Sequence, residues 1–126
     1  LGKPVMVDFT GWGCVNCREM ESKVWIDPKV RDIMNNDYVL ISLYVDEKAK
    51  LPEKMTVMEN GQQRVLRTIG DKWSYLQRVK FGANAQPFYV LLDNEGNPLN
   101  GSYSHDEDID KYVDFLKTGL ENYKKK

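Results

Sequence analysis

The stretch GWGCVNCREMES, residues 11–22, holds both cysteines of the chain, separated by two residues and followed four places on by an acid. Just upstream, Val5-Met6-Val7-Asp8-Phe9 is an apolar run of the length of a buried strand, broken by a single acid. From Val15 to about Trp25 the pattern turns helical. Cys14 therefore falls after a strand and its short loop, near the first turn of a helix. There the unpaired backbone N–H groups and the helix dipole favour a thiolate. Cys17 lies one turn further down the same face, so the two sulfurs can reach each other. One sulfur open to solvent and a second one shielded is the arrangement that thiol–disulfide exchange requires: the exposed thiolate attacks and the second thiol resolves the mixed disulfide.

Two other readings of the pair compete with this one. Inert buried cysteines are common, but seldom occur two residues apart at a strand-to-helix junction. A structural zinc site wants four ligands, and the single histidine, His105, sits in a polar stretch far along the chain. A metal would have to recruit Asp or Glu. The expectation is a redox pair, with no metal and no cofactor beyond a Cys14–Cys17 disulfide.

Further along the chain, Asp27-Pro28 is a helix entry, with Asp as cap and Pro in the first turn, and predicts a second helical piece over Pro28–Met34. Tyr38–Val45 (YVLISLYV) reads as a second buried strand and residues 47–54 as a charged loop. Asn60-Gly61 between Met55–Met58 and Arg64–Ile69 is a hairpin signal. Asp71–Phe81 reads as a helix with Trp73, Leu76 and Val79 on one side, and Phe88–Leu92 as a third buried strand. Asp93-Asn94-Glu95-Gly96 turns the chain toward a hairpin partner near Leu99–Tyr103. Ile109, Tyr112, Val113, Leu116 and Leu120 mark a closing helix capped by Asp106 or Asp108. The result is an α/β domain with a mixed sheet covered by helices, in which chemistry collects where strands end and helices begin.

At 126 residues the chain suits one domain spanning 1–126, with room for a core that needs no staples. A formal net charge of −1 supplies no attraction to nucleic acid or to an anionic membrane. The closing Lys124-Lys125-Lys126 reads as a solvated end. No apolar run approaches the ~20 residues needed to cross a bilayer. The chain enters a strand-like run almost at once after Leu1-Gly2-Lys3-Pro4, which reads as a domain cut from a longer protein.

Val7-Asp8-Phe9, Cys14-Val15-Asn16-Cys17 and the Pro before a buried strand, Gln86-Pro87-Phe88-Tyr89-Val90, resemble the thioredoxin superfamily. The longer string Cys-Val-Asn-Cys-Arg-Glu-Met-Glu, followed by Asp27-Pro28-Lys29-Val30, is similar to one branch of it, the C-terminal thioredoxin-like domains of the DsbD thiol:disulfide interchange proteins. The resemblance implies a thioredoxin-like fold with a hairpin and helix inserted at about residues 47–80, before the proline strand. It also implies a monomeric periplasmic reductase domain tethered to the inner membrane through its parent protein. Such a domain takes electrons from a transmembrane donor domain, passes them to a periplasmic acceptor domain, and belongs with cytochrome c biogenesis.

By the same resemblance Cys14 is the nucleophile and Cys17 the resolving thiol. Asp8 is the buried strand acid, poorly solvated and partly protonated, able to take or return a proton. Glu21, on the cysteines' stripe of the helix, is a second acid; its bland alternative is an ion pair with Arg18. Pro87 is the proline that faces the disulfide, its cis bond leaving the Gln86 backbone to pair with an incoming strand. Trp12 either meets a partner or packs under the loop. Gly13 departs from thioredoxin, where Trp precedes the first cysteine, and the expectation is a more open or flexible groove. Ser42 stands where thioredoxin has a lysine near its acid, which should ease protonation of Asp8. Val15-Asn16 adds no group that stabilises a thiolate, so a reducing couple is expected.

Overall fold

The apolar run before the cysteines becomes the central strand of a mixed sheet. The computed structural model describes residues 2–125, and in it β1 (Val5–Thr10) is followed by α1 (Val15–Lys23), α2 (Pro28–Asp37) and β2 (Val39–Tyr44). An antiparallel hairpin, β3 (Lys50–Glu59) and β4 (Gln62–Thr68), leads into α3 (Ile69–Phe81), then β5 (Phe88–Leu92) and α4 (Ile109–Lys124). The sheet order is β2-β1-β5, with β1 parallel to β2 and antiparallel to β5. This is the α/β arrangement expected, with the hairpin and α3 inserted ahead of β5.

Alternation along β1 divides the core in two. Met6 joins Met20 and Val24 of α1, Val30 and Met34 of α2, Tyr89 and Leu91 of β5, and Tyr112 and Leu116 of α4. Val7 and Phe9 point the other way, to Phe88, Val90 and Leu92, under Leu76 and Phe81 of α3. Asp8 and Thr10 alternate with Val7 and Phe9, so they lie on the Met6 side, beneath α1. On the outer side of β2 no further strand pairs among the described residues, and Leu40 and Ile41 are exposed there.

The caps explain where the helices begin. Asp27 accepts from the Lys29 N–H at 2.9 Å ahead of Pro28. Thr68 and Asp71 form a reciprocal capping box on α3, and Asp108, not Asp106, caps α4. Asn60 and Gly61 both take positive φ, as a tight hairpin turn requires.

Five expectations are corrected. β2 is an edge strand without a buried residue rather than a second buried strand, because among the described residues only one of its sides has a pairing neighbour. Residues 50–54 belong to β3 rather than to a loop; four of these five residues are exposed and the pairing is irregular between Lys50 and Met55, so this stretch carries no alternation to detect. α2 runs on to Asp37, past Met34. On α3 the buried positions are Gly70 and Gln77, while Val79 faces solvent. The partner of β5 is not a strand over 99–103 but two isolated bridges, Leu92 with Pro98 and Tyr89 with Tyr103; between them Asn100 turns away to the Phe115 carbonyl at 3.0 Å. Of the closing lysines, Lys124 and Lys125 are exposed, and Lys126 lies outside the described residues.

Gly70 locks α3 to the end of β2. A Cβ there would stand 2.6 Å from the Glu47 nitrogen and from the Val45 carbonyl oxygen, both backbone atoms. Gly70→Ala is therefore expected to destabilise the domain by about 2–3 kcal/mol, read as a lower urea midpoint at unchanged slope. An unchanged midpoint would refute this packing.

Candidate active site

Cys14 is the N-cap of α1. Its N–H donates to the Gly11 carbonyl at 3.2 Å, and its Sγ accepts the Cys17 N–H at 3.2 Å. It is half-exposed, whereas Cys17 on the inward face of α1 is 1% exposed. The two sulfurs are bonded to each other, with the Cα atoms 5.2 Å apart. The first turn of α1 itself contains no acid.

Below them Asp8 is almost fully buried, flanked in the sheet by Ser42 on one side and Tyr89 on the other. Burial pushes its pKa up to about 7; the Ser42 hydroxyl, donating at 3.3 Å, opposes the rise, while Glu21 adds to it and Arg18 subtracts. Asp8 Oδ1 and Arg18 Nε are both buried without a hydrogen-bond partner. An unpaired buried oxygen is tolerated far better on a neutral carboxyl than on a carboxylate. Register puts Ser42 beside Asp8, so the position read as a missing lysine is indeed the acid's neighbour. Arg18 Nη2 donates to Thr10 Oγ1 at 3.0 Å and pairs with Glu21 at 3.0 Å. The ion pair open to Glu21 by spacing is thus formed, and it holds the second acid over the edge of the Asp8 site.

The loop before Cys14 is clamped from the end of β2. Asp46 accepts the Trp12 N–H at 2.9 Å and the Gly13 N–H at 3.1 Å. Partial burial raises the Asp46 pKa, but these two donors outweigh it and hold the carboxyl below its ordinary range. The Trp12 indole stacks on Tyr44, centroids 3.9 Å apart, and donates from Nε1 to Glu47 at 3.4 Å. Trp12 is still 59% exposed, so it packs beside the loop rather than under it and keeps an open face near Cys14. A Cβ at Gly13 would meet only Asp46, at 3.9 Å, and the Gly13 backbone N–H is held on that same carboxylate.

The Gln86–Pro87 bond is cis. The β1–β5 register pairs Phe88 with Phe9; continued by one residue, it brings Pro87 level with Thr10, just ahead of the clamped loop. Residues 8, 12, 13, 14, 17, 21, 86 and 87 are therefore gathered at one end of the sheet. Sequence reading missed Asp46, Tyr44, Glu47 and Thr10, whose only signal was their position at the ends of β1 and β2. It also missed Arg18 as a bridge and Gln77, a polar residue in the inward row of α3. His105 pairs with Glu107 at 3.0 Å on the surface. Among the described residues no group of three His, Cys, Asp or Glu side chains is placed to hold a metal.

A family model describing a thioredoxin-like domain matches residues 1–117. The chain belongs to the thioredoxin-like domain family. No curated protein sequence matches it significantly. Among solved structures this thioredoxin-like domain is similar to a thioredoxin-fold protein from Helicobacter pylori, with TM-score 0.67 and 14% identity over 98% of this chain and 73% of that one. It is also similar to a DsbH oxidoreductase, with TM-score 0.65 and 18% identity over 95% and 74% of the two chains. The reduced C-terminal domain of DsbD from Neisseria meningitidis aligns with TM-score 0.60 and 16% identity, over 93% of this chain and 81% of that one. At these identities the likeness is one of fold.

Proposed function

We propose that this domain is a thiol–disulfide oxidoreductase that works as a reductant. The carrying observation is a half-exposed Cys14 capping α1, bonded to a buried Cys17, above a buried acid whose pKa is pushed up to about 7. In the reduced pair, the Cys14 thiolate attacks one sulfur of a partner disulfide; that bond breaks and the partner's other sulfur leaves as a thiolate. Cys17 then gives its proton to the Asp8 carboxylate and attacks Cys14 Sγ. The second partner sulfur departs as a thiolate and takes back the proton held by Asp8, the first takes from solvent the equivalent of the proton Cys14 had given up on ionising, and two electrons have passed to the partner. Glu21 and Arg18 tune the charge around Asp8, and Trp12, Gly13, Gln86 and Pro87 form the contact surface.

The reducing direction is supported by Val15-Asn16, which adds no group that stabilises a thiolate beyond the helix start and the Cys17 N–H. The resemblance of the CVNCREME string to DsbD domains supports a relay between a transmembrane donor domain and a periplasmic acceptor domain, with cytochrome c biogenesis as its setting. Among the described residues no helix is long and apolar enough to cross a membrane, so the donor would be another part of the parent protein or another chain. Equilibration with glutathione tests the direction. A reduction potential below about −200 mV is expected, and one near −120 mV, the range of strong oxidants, overturns it.

A further inference from the structure

Gln77 is completely buried, yet it is polar and lies on the inward row of α3 beside the apolar cluster of Leu76 and Phe81. Such a residue persists only if its carboxamide is satisfied. Both ends are satisfied by one short segment. Nε2 donates to the Ala85 carbonyl at 2.8 Å, and Oε1 accepts from Gln86 Nε2 at 3.0 Å. The Gln77 main-chain carbonyl also receives the Ala83 N–H at 3.4 Å.

This segment, between the Gly82 cap of α3 and the start of β5, has no ladder or helix to hold it. With the Gln86 side chain drawn inward, its own backbone N–H and carbonyl make no hydrogen bond among the described residues. An apolar side chain of the same shape would fill the core equally well, so the polar group is needed for where it holds the loop. α3 is itself anchored by the Thr68–Asp71 capping box and by Arg78, whose Nε donates to Glu59 on β3 at 2.6 Å.

We propose that Gln77 is a positioning residue: through Ala85 and Gln86 it fixes in advance the backbone edge at Gln86 that the family resemblance assigns to an incoming substrate strand. A backbone edge fixed in advance spares the ordering entropy that a loose loop would lose on binding. This rests on the function proposed above, and Gln77 touches neither sulfur.

The test is Gln77→Met, assayed with a synthetic peptide dimer joined by one disulfide and dithiothreitol as electron donor. KM is expected to rise about tenfold, the equivalent of ~1.4 kcal/mol of binding, with kcat within twofold. NMR order parameters of residues 83–86 are expected to fall from about 0.85 to below about 0.6, with α3 unchanged. An unchanged KM, or a fall in kcat at constant KM, overturns the proposal. If the wild-type domain reduces no peptide, the function proposed above fails, and the order parameters alone decide the positioning role: rigidity retained in Gln77→Met refutes it. Should Gln77→Met not fold, Gln86→Met cuts one of the two side-chain bonds at a half-buried site, and a smaller rise in KM is expected; no rise refutes the proposal.

Discussion

The Cys17→Ser variant is expected to stop turning over while still attacking once, so that it accumulates as a mixed disulfide through Cys14. The reason is the different placement of the two sulfurs. Cys14 at the N-cap is half-exposed and can meet a partner, whereas Cys17 is buried and can meet only Cys14. Without Cys17 the adduct must be released by external thiol. A well-oriented internal group has an effective molarity on the order of 10⁵ M or more, so at millimolar thiol the loss is at least about 10²-fold in steady-state rate. Cys14→Ser is expected to lose both turnover and adduct. Non-reducing electrophoresis and mass spectrometry of the trapped species check this. One captured partner supports a relay domain, a broad set of adducts supports a general reductase, and no adduct supports a binding module whose thiols only stabilise it. Faster alkylation of Cys17 than of Cys14 in the reduced protein would refute the assignment.

Asp8→Asn is expected to stabilise the domain at pH 8 by up to about 4 kcal/mol and to slow exchange. The carboxyl is raised from an ordinary value of 3.8 to about 7, first by burial. It therefore keeps its proton in the folded chain over a window in which the unfolded chain has lost it. Where the folded state binds more protons, stability falls as pH rises. The penalty is absent below about pH 4, grows between about 4 and 7, and is complete above 7; roughly three pKa units at 1.36 kcal/mol each set its size. Asparagine keeps the shape and the Ser42 contact and does not ionise, so the gain should vanish near pH 4. Urea unfolding at pH 4 and pH 8 measures it, and an equal gain at both values would exclude titration as the cause. Asp8→Asn also loses the proton acceptor for Cys17. General acid–base contributions run to about 10²–10⁴-fold, so at least a tenfold slower resolving step is expected, together with loss of an inflection near pH 7. A wild-type pH profile surviving in Asp8→Asn would remove Asp8 from the mechanism.

How much of this was legible beforehand differs from element to element. Phe88–Leu92 matched the strand to the residue, because five consecutive apolar residues buried on both faces allow few alternatives. The hairpin turn was legible because Asn-Gly takes the two positive φ values that few other pairs accept. The start of β3 was not, since a stretch exposed at nearly every position carries no period. The inward row of α3 was misread because Val79 looks apolar in sequence, while Gln77 is the residue whose buried carboxamide finds partners in the Ala85–Gln86 segment.

The site divides in the same way. Sequence alone determined the redox pair, its junction at the end of β1 and the acid within that strand. These rest on local chemistry: the spacing of two thiols on one helical turn and a single acid in an apolar run. Tertiary structure alone decided that Asp46 clamps the Trp12–Gly13 backbone, that Arg18 ties Thr10 to Glu21, and that Gln77 holds Ala85 and Gln86. Each of these contacts depends on which strands lie side by side or on where a folded loop returns. Hydrogen bonds are made at about 3 Å between atoms that the sequence can place on an element but not opposite one another.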